Sequence, residues 1–157
     1  MIGHLAYFFQ RKVTVVVIQT GSILLLLSTV MAWVHLEPGP EALNGNEVST
    51  LVRLIGLLGV VSGLLVSIFQ GWLRGILAAV LLGGGFLAII TAALTISNPV
   101  AASVTGMQQL GLTAETARLA FGAWFGLAGA ILLSIGALAA LLFSSTWDDE
   151  PETKKTR

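Results

Sequence analysis

Four long apolar stretches alternate with shorter polar links along the chain. They cover about residues 13–34, 51–70, 75–96 and 117–143. Each approaches or exceeds the ~20 apolar residues that cross a hydrocarbon layer as a helix. The pattern predicts an all-α integral membrane protein with four transmembrane helices. The central two form a hairpin, Leu51 to Ile96, and the rest of the chain is read around it. Its arms, Leu54–Phe69 and Gly75–Ile96, hold no ionisable residue. The link Gly71-Trp72-Leu73-Arg74-Gly75 is too short to recross the layer, so both arms span and the turn lies on one side.

The links are rich in turn residues. His35–Thr50 carries Pro38-Gly39-Pro40 and Asn44-Gly45-Asn46, with Glu37, Glu41 and Glu47 but no Lys or Arg. This is read as a polar outer loop. Ser97–Thr113 is read as the second outer loop. Within it, Asn98 is placed to cap a short surface helix with Pro99 at its first position, and Gly111 to end it, while Gly106 weakens it. Thr113 is then expected to cap the fourth span, with Glu115 in its first turn. Arg53 and Arg118, near the outer ends of their spans, are within sequence reach of Glu47 and Glu115 as surface pairs.

At the amino terminus Tyr7, Phe8 and Phe9 beside Arg11 and Lys12 have the pattern of an interfacial anchor. Trp33, Trp72 and Trp147 are placed as interface anchors at span ends. A cleaved signal peptide is the lesser reading of the first stretch, because its apolar run exceeds the roughly 7–15 residues of such a segment. Residues 147–157 are expected to be a charged, disordered cytoplasmic tail, leaving 1–146 as one transmembrane domain.

Charge orients this picture. Arg11, Lys12, Arg74, Lys154, Lys155 and Arg157 fall on one side, and only Arg53 and Arg118 on the other. Retained basic residues favour the cytoplasmic face, so both termini and the Arg74 turn are expected inside. Composition agrees with a single membrane domain: 55% hydrophobic, 10% charged and a mean hydropathy of +0.91. The formal net charge of zero implies no nucleic-acid partner; the lipid bilayer is the partner. The chain has no cysteine, which removes disulfides, thiolate catalysis and cysteine metal sites.

Small residues supply the clearest motif. Gly56, Gly59 and Gly63 in the second span, and Gly122, Gly126, Gly129 and Gly136 in the fourth, recur at three-four spacing. Each set makes a smooth stripe that admits another backbone. Packing within the four-helix unit is the plainer reading; docking of a partner membrane protein, or of the chain itself, is the sharper one, with the fourth-span stripe the better candidate. Gly83-Gly84-Gly85 suggests a bend or a close crossing. No catalytic constellation, phosphate loop or nucleophile elbow is present, and no cofactor is implied. His4 and His35 fall on opposite sides; His35 and Glu37 read as a solvated pair rather than a metal site. The polar residues of the first span, Gln19 with Thr14, Thr20, Ser22, Ser28 and Thr29, line a path only if several helices turn them toward one cavity.

The order of these features resembles the actinobacterial membrane proteins named for association with the tryptophan biosynthesis operon. The resemblance rests on Ala32-Trp33-Val34, the short basic turn at Arg74, and Ala123-Trp124-Phe125-Gly126-Leu127-Ala128-Gly129 in a span ending near Trp147. It covers nearly the whole chain. It departs at Asp148-Asp149-Glu150, where members often carry a basic, Met- and Tyr-containing stretch. The resemblance implies a four-span plasma-membrane protein, and its name describes gene neighbourhood rather than activity. The expectation is a non-enzymatic accessory or interaction protein; the alternative is an oligomeric small transporter or sensor for an aromatic or other small metabolite.

Overall fold

The computed structural model describes residues 11–148. Tyr7, Phe8 and Phe9, and the tail beyond Asp148, lie outside the described residues. The elements are α1 (Arg11–Val30), β1 (Ala32–Glu37), β2 (Ala42–Asn44), α2 (Gly45–Val48), α3 (Thr50–Ile68), α4 (Trp72–Ser97), α5 (Pro99–Leu110), β3 (Thr116–Leu119) and α6 (Phe121–Asp148). Four helices, α1, α3, α4 and α6, are long and apolar enough to cross a membrane. The protein is therefore a helical multi-pass membrane protein.

The spans form a ring in which α1 touches α3 and α6, α4 touches α6, and α3 and α4 close the circle. The closest seam is α1 against α6, not the hairpin. This corrects the view of Leu51–Ile96 as the organising element. The physical reason lies on α1, whose buried positions Thr14, Ile18, Gly21, Ser22, Leu25 and Ser28 recur at three-four spacing. Gly21 lets α6 approach so closely that a Cβ there would collide with the backbone nitrogen of Leu133. Side-chain bulk at the α3–α4 seam keeps those helices further apart: a Cβ on Gly84 would meet the Ile55 side chain at ordinary contact distance, 3.4 Å. The helix α4 runs unbroken through Gly83-Gly84-Gly85, and the close crossing is at Gly85, which packs on Ser134.

The connection between α3 and α4 is shorter than expected. Helix resumes at Trp72, so Arg74 stands in the first turn of α4 rather than in a turn. Gly71, with φ 63°, supplies the backbone reversal that an L side chain rarely adopts.

At the other end the chain builds a cap that the polar-loop reading did not contain. Three strands form an antiparallel sheet in the order β2-β1-β3. Val34, Leu36 and Leu43 are buried, while His35, Thr116 and Arg118 are exposed. This two-residue alternation makes one apolar and one polar face. Two expectations fall here. The first span ends at Val30, so Trp33 and Val34 belong to β1. The fourth span begins at Phe121, so Thr113 and Glu115 precede β3 and cap no helix. Strand pairing, with His35 opposite Arg118 and Glu37 opposite Thr116, overrides local helix preference.

The capping expectations for α5 hold. Asn98 accepts from the Ala101 N–H at 3.1 Å, Pro99 opens the helix, and Gly111 closes it at φ 67°. Gly106 is a contact residue: a Cβ would stand 2.7 Å from the Glu47 carbonyl oxygen on α2. Asn44 and Glu47 form a reciprocal capping box on α2, with Asn44 N–H donating to Glu47 Oε2 at 2.8 Å. That bond, rather than Arg53, is what engages the Glu47 carboxylate.

Candidate functional site

The cap is fastened to the spans by Trp33. This side chain is fully buried, so it is no interface anchor. Its indole N–H donates to the Ser28 carbonyl at 2.8 Å, where α1 is ending. The ring lies against Gly45, Gly122 and Gly126. Its backbone carbonyl accepts from Ala120 N–H at 2.8 Å, just before α6 begins. Trp33 thus joins the first span, the sheet and the fourth span. Burial of an indole is favourable only with its N–H bonded, and the Ser28 carbonyl, freed by the end of α1, provides that acceptor.

On the polar face of the sheet Glu37 gathers β1 and β3. Its carboxylate pairs with Arg118 and accepts from the Thr116 hydroxyl at 3.1 Å. The expected Arg118–Glu115 pair is replaced by this cross-strand one, because the strand sets Glu37 and Thr116 opposite each other with Arg118 two residues on. Beside them opens a cavity of about 470 Å³, walled by Leu36 to Glu41 and by Gly111, Leu112 and Thr113. Its wall is part apolar, from Leu36, Pro38, Pro40 and Leu112, and part acidic, from Glu37 and Glu41. His35 and Glu37 share the polar face of β1; among the described residues no group of three or more His, Cys, Asp or Glu is placed to hold a metal.

Within the spans most of the described polar side chains bond to backbone. The Ser22, Ser28 and Ser134 hydroxyls donate to carbonyls of their own helices, those of Ile18, Leu25 and Ala130, at 2.7–2.8 Å. Thr29 and Thr95 do the same toward Leu26 and Thr91. Gln19 donates across the α1–α3 seam to the Val60 carbonyl at 2.9 Å. In an apolar medium such bonds remove polarity from the helix surface.

Every glycine of the two stripes faces a neighbour in the same chain. Gly56, Gly59 and Gly63 meet Leu26, Ser22, and Gln19 with Ile18, all on α1. Gly122 and Gly126 meet Trp33; Gly129 and Gly136 meet α1, with a Cβ at Gly129 standing 2.8 Å from Leu25 N. The fourth-span stripe, expected as the better docking face, is covered by α1 and Trp33. Gly21, absent from the expected stripes, is the partner of Gly129; the signal was the small pair Gly21-Ser22 on the face of α1 that carries Ile18 and Leu25.

At the opposite end Arg74 is fully buried. Nε and Nη2 both donate to the Phe69 carbonyl, at 2.9 and 2.6 Å. A cation in the first turn of α4 sits at the unfavourable end of that helix dipole, but it reaches the favourable C-terminal end of α3. Its guanidinium also lies 5.3 Å from the centroid of the half-buried Trp147 ring. Trp147 therefore packs on the first turn of α4. Trp72 projects outward, 74% exposed. Arg11 and Lys12 open α1.

A family model described as a tryptophan-associated transmembrane protein matches residues 15–154. Nothing among curated proteins or solved structures matches the chain.

Proposed function

The chain belongs to the family of tryptophan-associated transmembrane proteins, and from that premise we propose that it is a non-enzymatic accessory protein of the plasma membrane whose outer cap is a recognition surface. One observation carries the reading. Gln19, Ser22, Ser28, Thr29, Thr95 and Ser134 of the spans are bonded to helix backbone, and the crossings of the two glycine stripes are filled, whereas polar side chains gather on the face of the cap. A carrier needs polar groups turned toward a substrate path, and an ionisable group within the span marks most coupled ones. The described buried cation, Arg74, is instead bonded to the end of a neighbouring helix.

The family description associates its members with tryptophan and names no reaction. The test is purification of the tagged chain in mild detergent, beside a variant with Glu37→Ala and Arg118→Ala. Stoichiometric retention of a second membrane protein by the parent, lost in the cap variant, supports the reading. A chain that elutes without other subunits and, in liposomes, moves a solute down its gradient overturns it.

A further inference from the structure

The walls of the cavity beside Glu37 are rich in hydrogen-bond acceptors and poor in donors. Its volume, about 470 Å³, falls within the roughly 300–1,000 Å³ of ordinary small-molecule sites. Two segments wall it: Leu36 to Glu41, which leads from β1 to β2, and Gly111 to Thr113, which follows α5. Pro38 and Pro40 have no N–H. The Gly39 N–H donates to the Leu36 carbonyl, the Gly111 N–H to Gln108 and the Leu112 N–H to Met107. The carbonyls of Pro38, Gly39 and Pro40 accept no hydrogen bond among the described residues. The two carboxylates on the wall differ. Glu37 is engaged by Arg118 and Thr116. The Glu41 carboxylate has no hydrogen-bond or ion-pair partner among the described residues. It folds back over the loop, where a Cβ on Gly39 would collide with its Oε2. With Glu37 paired, Glu41 leaves the cavity one unbalanced negative charge. Pro38, Pro40 and Leu112 supply apolar surface beside it.

We propose that this cavity binds a small organic cation, a primary ammonium carried on an apolar body. An ammonium has three donors and no acceptor, which is the complement of these walls. Its charge faces Glu41, its other N–H groups meet the free carbonyls of the Pro38–Pro40 turn, and its body rests on Pro40 and Leu112. A carboxylate of the same shape would meet Glu41 as a like charge, and Arg118 is already bonded to Glu37. The proposal goes beyond the accessory reading, because it names a ligand and needs no second protein.

The test uses the full chain in lipid nanodiscs and three probes of one shape: benzylamine, benzyl alcohol and benzoate. Saturation-transfer NMR reports binding directly. The unfolding midpoint reports it independently, since a ligand held by the folded state raises it. Benzylamine should bind saturably, benzyl alcohol more weakly and benzoate not at all. Glu41→Gln keeps the side-chain shape and removes the charge, and an exposed ion pair of this kind should cost about fivefold in affinity. Thr113→Arg sets a tethered cation in the opposite wall and should abolish binding. Glu115→Gln removes a nearby acid that does not line the cavity and should leave binding unchanged. All three positions are exposed, so the variants should keep the parent midpoint without ligand. Equal binding of the three probes, as partition into lipid gives, overturns the site. So does benzylamine binding that is absent in the parent, or unchanged by both Glu41→Gln and Thr113→Arg. An equal fall for Glu41→Gln and Glu115→Gln would trace the effect to overall charge and also overturns it. Retention of a second membrane protein is measured apart, so either reading can fail while the other stands.

Discussion

Gly126 lies beneath the indole of Trp33, so close that a Cβ on it would stand 2.6 Å from Cζ2. The glycine exists at that position because the tryptophan fills the space, and the tryptophan is where the cap meets the spans. Gly126→Leu should therefore displace the ring from the Ser28 carbonyl and loosen cap and span together. Overpacking of this kind costs about 1–3 kcal/mol, and Trp33→Ala about 3–5 kcal/mol. Thermal unfolding in detergent should show both losses, with Trp33→Ala the larger. An unchanged midpoint for Gly126→Leu would mean that the ring is free to move.

The glycines of α4 should separate by environment, although they are adjacent in sequence. Nothing lies within 4 Å of a Cβ on Gly83, whereas one on Gly85 would collide with Ser134 Oγ. Gly83→Ala gains helix propensity, about 0.5–1 kcal/mol, at no steric cost. Gly85→Ala gains the same amount and loses more at the α4–α6 crossing. The midpoint should rise for the first and fall for the second. A fall for both would indicate that Gly83 is covered by something outside the chain.

The spans were legible because an apolar run of that length has few other solutions, and Gly59, Gly126 and Asn98 carried their contacts or caps in local spacing. The cap was not legible. Ala32-Trp33-Val34 continues the apolar run of α1, so nothing local marks the helix end at Val30. Thr116-Ala117-Arg118-Leu119 becomes a strand through pairing with residues about eighty positions earlier, Glu37 with Thr116 among them. The primacy of α1 was hidden for a related reason. A face of Gly21, Ser22, Leu25 and Ser28 is less conspicuous than a row of glycines, yet both glycine rows converge on it. Arg74 was visible as a lone charge, but its burial depends on Phe69, just past the end of α3, and Trp147 on α6 meeting it.

Orientation is the next expectation to check. The basic residues Arg11, Lys12 and Arg74 cluster at one end of the ring and the acidic cap at the other, so the cap is expected outside the cytoplasm. Truncation fusions of a reporter active only outside the cytoplasm should work after Asn44 or Ser103. They should be silent after Arg74 or at the carboxyl terminus. Activity at Arg74 would reverse the arrangement and place the cap inside.

Arg74 itself should matter more for stability than a link residue ordinarily does. Its guanidinium donates twice to the Phe69 carbonyl, which accepts at the end of α3, and lies against Trp147. Arg74→Met retains much of the buried volume but leaves that carbonyl without these bonds, a loss of about 1–3 kcal/mol. Arg74→Lys keeps the charge and a donor, yet lacks the planar fork that bonds through two nitrogens and stacks on a ring. The unfolding midpoint in detergent should therefore fall for both, with lysine intermediate between arginine and methionine. Trp147→Leu should lower the parent midpoint and have a smaller effect in the Arg74→Met background, because the contact it removes is already gone. Additive losses in that double variant would show that Arg74 and Trp147 act separately, and a methionine variant as stable as the parent would show that the buried guanidinium does not hold the link.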